Sequence, residues 1–245
     1  MGGFITLFLF RNQALNAMNS TNRVFQIAFV GLIIIILSGA LYFELRPKPT
    51  TPEYPIVLTD LGVRPDFTLP STTGSNFTLS STNGKVRLVT FIYTKCMEGC
   101  ATLTANMATT MSQLQAANLT NQVQFVTIDF DFLFDNMSDL TNYAANFTQP
   151  SYPWVWLLGN QNQTETITQQ WGFYYNLTSS PSTNTTSYTQ LTPDHTGMVE
   201  YTHIFEVFVL DGAGHWQYTL LGANWTPATA MQVIQKVMDL NTTTS

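Results

Sequence analysis

The stretch from Val86 to Ala117 constrains this chain most. Val86 to Tyr93 (VRLVTFIY) is a β-branched and aromatic run that reads as a buried strand, and Ala101 to Ala117, rich in Ala, Met, Leu and Gln, reads as a helix. The turn between them, Thr94-Lys95-Cys96-Met97-Glu98-Gly99-Cys100, holds the only two cysteines of the 245 residues. A strand that delivers two thiols to the mouth of a helix places them where the helix N-terminus favours thiolate, at Cys100 above all. Thiolate is the species that binds soft metals or attacks disulfides. As a structural staple the pair would close too short a loop to remove much chain entropy, so a chemical role is the stronger reading.

A second feature divides the chain. Val24 to Phe43 (VFQIAFVGLIIIILSGALYF) is twenty residues without a charge, the length that crosses a bilayer as a helix. No A-x-A-type cleavage site follows it, so it reads as a retained anchor. Arg11 and Arg23 before it balance Arg46 and Lys48 after it, so the positive-inside bias does not set the orientation. The N-x-S/T sequons do: Asn76, Asn118, Asn136, Asn146, Asn162, Asn176, Asn184, Asn224 and Asn241 all open one, as expected of an exported domain. The reading is a cytoplasmic lead over 1–23 with Met18 as an alternative start, an anchor over 24–43, a Pro-rich spacer over 44–64, and an outward-facing domain over 65–245.

After Pro49 five basic residues face fourteen acidic ones, a net −9. That excludes nucleic acid as a partner. Charged residues make up 10% of the chain, against about 25% in ordinary soluble proteins. A surface built from Ser, Thr, Asn and Gln stays soluble in acid.

Along the domain, strands and helices alternate. Asp66–Leu69 and Phe77–Leu79 flank a Gly74 turn as a hairpin. Val123–Asp129 and Trp154–Leu158 read as further strands, and Ser138–Phe147, capped by Ser138, and Thr164–Trp171 as short helices. A polar loop is expected from Asn176 to about Glu200. Ile204–Leu210 and Trp216–Leu221 form a hairpin around Asp211-Gly212-Ala213-Gly214, and Thr226–Leu240 closes as a helix. The order predicts an α/β structure: a thioredoxin-like mixed sheet with flanking helices and an N-terminal hairpin, preceded by one transmembrane helix.

From about Pro65 to Leu240 the chain resembles the Sco/SenC copper proteins of cytochrome oxidase assembly. Pro65-Asp66-Phe67-Thr68-Leu69, Gly84-Lys85 and Phe91 to Cys100 carry the first part of the likeness. Trp156-Leu157-Leu158-Gly159 with Trp171-Gly172-Phe173-Tyr174-Tyr175, and Thr202-His203 ahead of Phe205 to Gly212, carry the rest. Met97 and Ala101 stand where the family has proline after each cysteine. Asp129-Phe130-Asp131 and Asp135 stand in for its acidic stretch, with Asp129 the nearest match and at most a supporting group.

The resemblance implies one copper per chain, Cu(I) and also Cu(II), held by Cys96, Cys100 and His203. Thiolates favour Cu(I), and two thiolates with an imidazole accept Cu(II) as well, though zinc accepts the same atoms. Among the histidines, His195 lies in the polar loop and His215 at the far end of a hairpin, whereas His203 begins a strand that should face the helix mouth. Met107 and Met111, four apart on the helix, read as core filler; Met97 is an outside candidate ligand, and Trp154, Trp156 and Trp171 read as core. The implied function is a membrane-anchored protein that delivers copper to, or prepares, the dinuclear copper site of a terminal oxidase subunit, with an external thiol reductant keeping the cysteines open. The alternative is an extracytoplasmic thiol-disulfide oxidoreductase acting through Cys96 and Cys100. The C-x-x-C spacing and the cis-proline of thioredoxins are both missing, as is the Pro and Thr pattern of peroxiredoxins.

Overall fold

The computed structural model describes residues 25, 28–39, 42, 56–58, 62–96, 98–178 and 200–243. The chain divides into two compact units, Met1–Pro52 and Glu53–Ser245. In the first, residues 28–39 are helical. No helix among the described residues is long and apolar enough to cross a membrane, and the ends of the apolar run, Val24 and Phe43 included, lie outside them.

The second unit is built on a six-stranded mixed sheet. In chain order its strands are β1 (Ile56–Leu58), the hairpin pair β2 (Thr68–Pro70) and β3 (Asn76–Thr78), β4 (Val86–Ile92), β5 (Val123–Asp129), β6 (Trp154–Leu158), β7 (Tyr175–Thr178), β8 (Glu200–His203), β9 (Glu206–Leu210) and β10 (Trp216–Leu221). The helices are α1 (Cys100–Ala116), α2 (Met137–Ala145), α3 (Gln161–Trp171) and α4 (Pro227–Thr243). The main sheet runs β1-β10-β9-β4-β5-β6, while β2-β3 and β7-β8 form two-stranded ribbons. β4, β5 and β6 are parallel, and β9 and β10 join antiparallel. The mixed α/β architecture expected from the sequence is present. The stretch read as a spacer supplies β1, which pairs with β10 through Ile56 opposite Leu220.

The burial pattern explains the topology. Every residue of β4, β5 and β9 is buried, as strands covered on both faces require. Three ionisable side chains are buried with them, Asp129 in β5, Glu206 in β9 and Arg87 in β4, the last with 1% exposure. Arg87 donates to the Asn83 Oδ1 at 2.7 Å and to the Asp211 carbonyl, stapling β4 to the β9–β10 turn. Burial pulls its pKa down, opposed by the charges of Asp211 and Asp66. Helix α1 packs on α4, and α2 on β6.

Three details differ from the sequence reading. Helix α2 is capped by Asn136, not Ser138: Asn136 accepts from the Ser138 and Asp139 amides, and Asp139 returns the bond to the Asn136 amide. Helix α3 begins one turn earlier, at Gln161, because Asn160 and Gln163 form a second capping box ahead of its first apolar residue. The two ends of the stretch expected as polar loop are strands, β7 and β8, paired with Tyr175 opposite His203; residues 179–199 lie outside the described residues. β7 alternates half-buried and exposed positions, and β8 sets buried Tyr201 and half-buried His203 between exposed residues, so no continuous apolar run marks them.

Candidate metal centre

The last residue of β4, Ile92, is followed by Tyr93, whose carbonyl accepts from the Cys96 amide at 3.3 Å. The turn carrying Cys96 is clamped from outside by one carboxylate. Asp135 accepts from the Thr94 amide at 2.7 Å, the Thr94 hydroxyl at 2.6 Å and the Lys95 ammonium at 2.7 Å. Lys95 also donates to the Phe134 carbonyl. Asp135 is buried, so these charge-assisted bonds hold the turn firmly.

Cys100 is the first residue of α1 and is buried, whereas Cys96 is half-buried; both are free thiols. His203 ends β8 rather than opening the next strand, and its ring faces both sulfurs. Nε2 lies 3.8 Å from the Cys96 Sγ and 3.7 Å from the Cys100 Sγ. The other ring nitrogen, Nδ1, is 3.2 Å from the Ile204 carbonyl. A carbonyl only accepts, so Nδ1 carries a proton, and Nε2 is the nitrogen turned toward both sulfurs. Tyr93, Phe130 and Phe205 hold the imidazole, with ring centroids 5.6, 5.3 and 4.3 Å away.

Cys96 is pulled down to about 3, chiefly by the hydrogen bond from Cys100, with His203 and the Cys100 and Glu98 amides assisting against burial. Cys100 is pushed far up, first by burial and then by the neighbouring Cys96 sulfur. The thiolate therefore sits on Cys96 and the proton on Cys100. This reverses the expectation that the helix terminus would ionise Cys100, because removing that thiol from water costs more than the helix dipole returns.

The other candidates that the structure describes lie elsewhere in the fold. Met107 and Met111 are fully buried, and Trp154, Trp156 and Trp171 are buried core residues. His215 lies on the β9–β10 turn, its Nδ1 3.3 Å from the Asp211 carboxylate. His195 and Met97 lie outside the described residues. Asp129 is buried at the end of β5, where one oxygen accepts from the Asp131 amide and the other has no hydrogen-bond partner. Burial first, then Asp135, raises its pKa well above the usual range. Asp131 is raised to about 6 by burial and by Asp135, and accepts from the Tyr201 hydroxyl at 2.8 Å. The clamp role of Asp135 and the contact of Phe205 with both Gly99 and His203 were missed from the sequence; only the acidic stretch hinted at the first.

Among the described residues one group of side chains can hold a metal ion: Cys96, Cys100 and His203, whose ligand atoms all lie within 4.8 Å of one another. Bond lengths of about 2.3 Å to sulfur and 2.0–2.1 Å to nitrogen, meeting near 120°, put sulfur and nitrogen about 3.8 Å apart. The two observed separations match, and the donor set suits a soft or borderline ion.

The SCO1/SenC family model matches residues 59–239. The "SCO1 protein homolog" of Bacillus subtilis (strain 168) is 32% identical over 100 residues, 40% of this chain and 51% of that protein; the match spans about half the length of that relative. Arabidopsis thaliana ScoI, solved with copper bound, superposes with a TM-score of 0.58 at 16% identity, over 73% of this chain and 99% of that one. BsSco, "a member of the Sco family of cytochrome c oxidase assembly proteins" in which a disulfide switch was identified, superposes at 0.56 with 23% identity, over 76% of this chain and 98% of its own. At these identities the superpositions speak to the fold; the family match covers sheet, helices and metal centre together. The chain belongs to the SCO1/SenC family.

Proposed function

We propose that this protein binds one copper ion through Cys96, Cys100 and His203, and delivers it to, or prepares, the dinuclear copper site of a terminal oxidase subunit. The domain faces outside the cytoplasm, tethered by residues 24–43. The carrying observation is the convergence of two sulfurs and one imidazole nitrogen within 4.8 Å. Copper here is cargo. Three ligands leave room for a partner's thiolate to enter before one of the chain's own leaves, so transfer proceeds by stepwise exchange. Half-buried Cys96 and His203 are the outward ligands, and buried Cys100 anchors the set.

The test is bound copper per chain after dialysis against a weak chelator. His203→Ala should lose most of its copper, and His215→Ala should retain about one per chain. Equal retention by His203→Ala and wild type would remove His203 from the site.

A second reading draws on the thiol asymmetry. A low-pKa, half-exposed Cys96 beside a buried, protonated Cys100 is the arrangement of an attacking thiol and its resolving partner. Cys96 would attack a partner disulfide, and Cys100 would then close the Cys96–Cys100 bond, releasing a reduced partner. Cu(I) titrated without air into reduced and fully oxidised protein separates the roles. The copper reading requires loss of binding on oxidation, because His203 alone cannot hold Cu(I). A reductase alone would bind copper weakly in both forms yet release thiols from a disulfide substrate.

A further inference from the structure

We propose that the domain carries N-linked glycans at Asn76, Asn118, Asn162, Asn176 and Asn224, an inference that rests on the outward topology proposed above and goes beyond it. The sequence motive is enrichment. After Pro49 the chain has fourteen asparagines, and about a quarter of its residues are Ser or Thr. Composition alone would make about three sequons from these; this part of the chain has nine. Ser, Thr and Asn content by itself therefore does not account for them.

The structure sorts the sequons. Asn76 on β3, Asn118 just past α1, Asn162 in the first turn of α3, Asn176 on β7 and Asn224 ahead of α4 are all exposed. Among the described residues none of these five side-chain amides is used by the fold. Asn118 has φ +56°, the left-handed conformation that Asn tolerates at a helix end, and this turns the residue out of the helix. Three others are committed. Asn136 caps α2 and donates its Nδ2 to Asp139. Asn146 donates its Nδ2 to the Asn142 and Tyr143 carbonyls. Asn241 is half-buried and accepts from the Gly212 amide. A glycan replaces one of the two Nδ2 hydrogens, so at Asn136 and Asn146 it would compete with donor bonds the fold uses, and at Asn241 it would have to enter half-buried surface. The remaining sequon, at Asn184, lies outside the described residues.

The co-reactant is an oligosaccharide carried on a polyprenyl phosphate or pyrophosphate, presented by the host's transferase. The Asn Nδ2 forms a bond to the anomeric carbon. The sugar C–O bond to the carrier phosphate breaks, its electron pair leaves with the phosphate, and the amide gives up one proton. Nothing is oxidised or reduced. The benefit is hydration: a surface with so few charges gains hydroxyls whose solvation is independent of pH.

The test is mass spectrometry of glycopeptides from the full-length protein, purified from membranes of its native host and digested with chymotrypsin. Protease treatment of intact cells from the same culture reports the topology. Peptides with the five free asparagines should carry a discrete added sugar mass, and those with Asn136, Asn146 and Asn241 should not. Replacing the five by Gln should remove that mass and leave copper binding unchanged. If the domain is clipped from outside yet all five peptides are bare, the glycan proposal is overturned and the topology stands. If the domain is protected, the topology fails and the glycans with it. Equal occupancy at the three committed asparagines would overturn the sorting by fold.

Discussion

Gly99, the residue before α1, has a constraint that no spacing rule contains. A Cβ placed on it would lie 2.7 Å from two carbons of the Phe205 ring, closer than carbon atoms approach in folded proteins. Phe205 in turn stands edge-on to His203 at 4.3 Å. A methyl group at position 99 must therefore push an aromatic ring toward the imidazole that faces both sulfurs. Gly99→Ala is expected to weaken copper binding at least tenfold and to change the Cu(II) electronic spectrum, with the fold retained. Phe205→Leu in the same chain should restore most of the affinity by making room. Wild-type affinity and spectrum in Gly99→Ala would mean that the ring yields without moving His203. The grouping of Cys96, Cys100 and His203 could be read from the sequence, because one strand-to-helix turn holds both cysteines and one histidine precedes a strand of the same sheet. The asymmetry between the thiols could not. It depends on how deeply Cys100 is desolvated, and that is set by the packing of the whole domain around it.

At the scale of elements, legibility followed burial. β4, β5 and β9 are buried at every position, and their mainly apolar, β-branched and aromatic runs marked them within a residue or two. Among the described residues β7 and β8 pair only with each other, and short strands with alternating exposure resemble polar loop. Helix starts were displaced for a related reason: capping residues are polar, so a reading based on apolar periodicity starts too late, as at Asn160, or picks the wrong Ser, as at Ser138. Asn136 gives a direct measurement. Its side chain satisfies two amides of α2, and Asp139, which completes the box, also lies 3.9 Å from Lys95. Asn136→Ala should cost about 1 kcal/mol, or roughly 2–4 °C in the melting temperature for a domain of this size, seen by thermal unfolding. Copper affinity should stay within twofold, because Asp135, not Asn136, holds the cysteine turn. A large loss of affinity without loss of stability would mean that α2 positions the centre more directly than its bonds indicate.

The whole domain has an unusual proton balance. Burial raises Glu206 to about 7. Asp131 is raised to about 6 by burial and Asp135, and Asp129 is raised well above the usual carboxylate range by burial and Asp135. Each is neutral in the folded chain over a range where the unfolded chain is already ionised, so unfolding releases their protons. Cys96 works in the opposite sense, being ionised in the fold from about 3 upward while an unfolded thiol stays protonated to about 8.5. Between about pH 5 and 6 the three carboxyls outweigh the one thiol, so the folded chain holds more protons than the unfolded one. Stability must fall as pH rises through this window. The reduced, copper-free protein is expected to melt at a higher temperature at pH 5 than at pH 7.5. Glu206 isolates one contribution, because burial alone moves it. Glu206→Gln should leave stability near pH 4.5 little changed and gain on wild type as pH rises, by on the order of 2 kcal/mol at pH 8. Thermal melts of both proteins from pH 4.5 to 8 check the slope and the difference together. A wild-type melting temperature that climbed across this range would mean that the carboxyls ionise within the fold, and the burial around β5 and β9 would have to be looser than the structure has it.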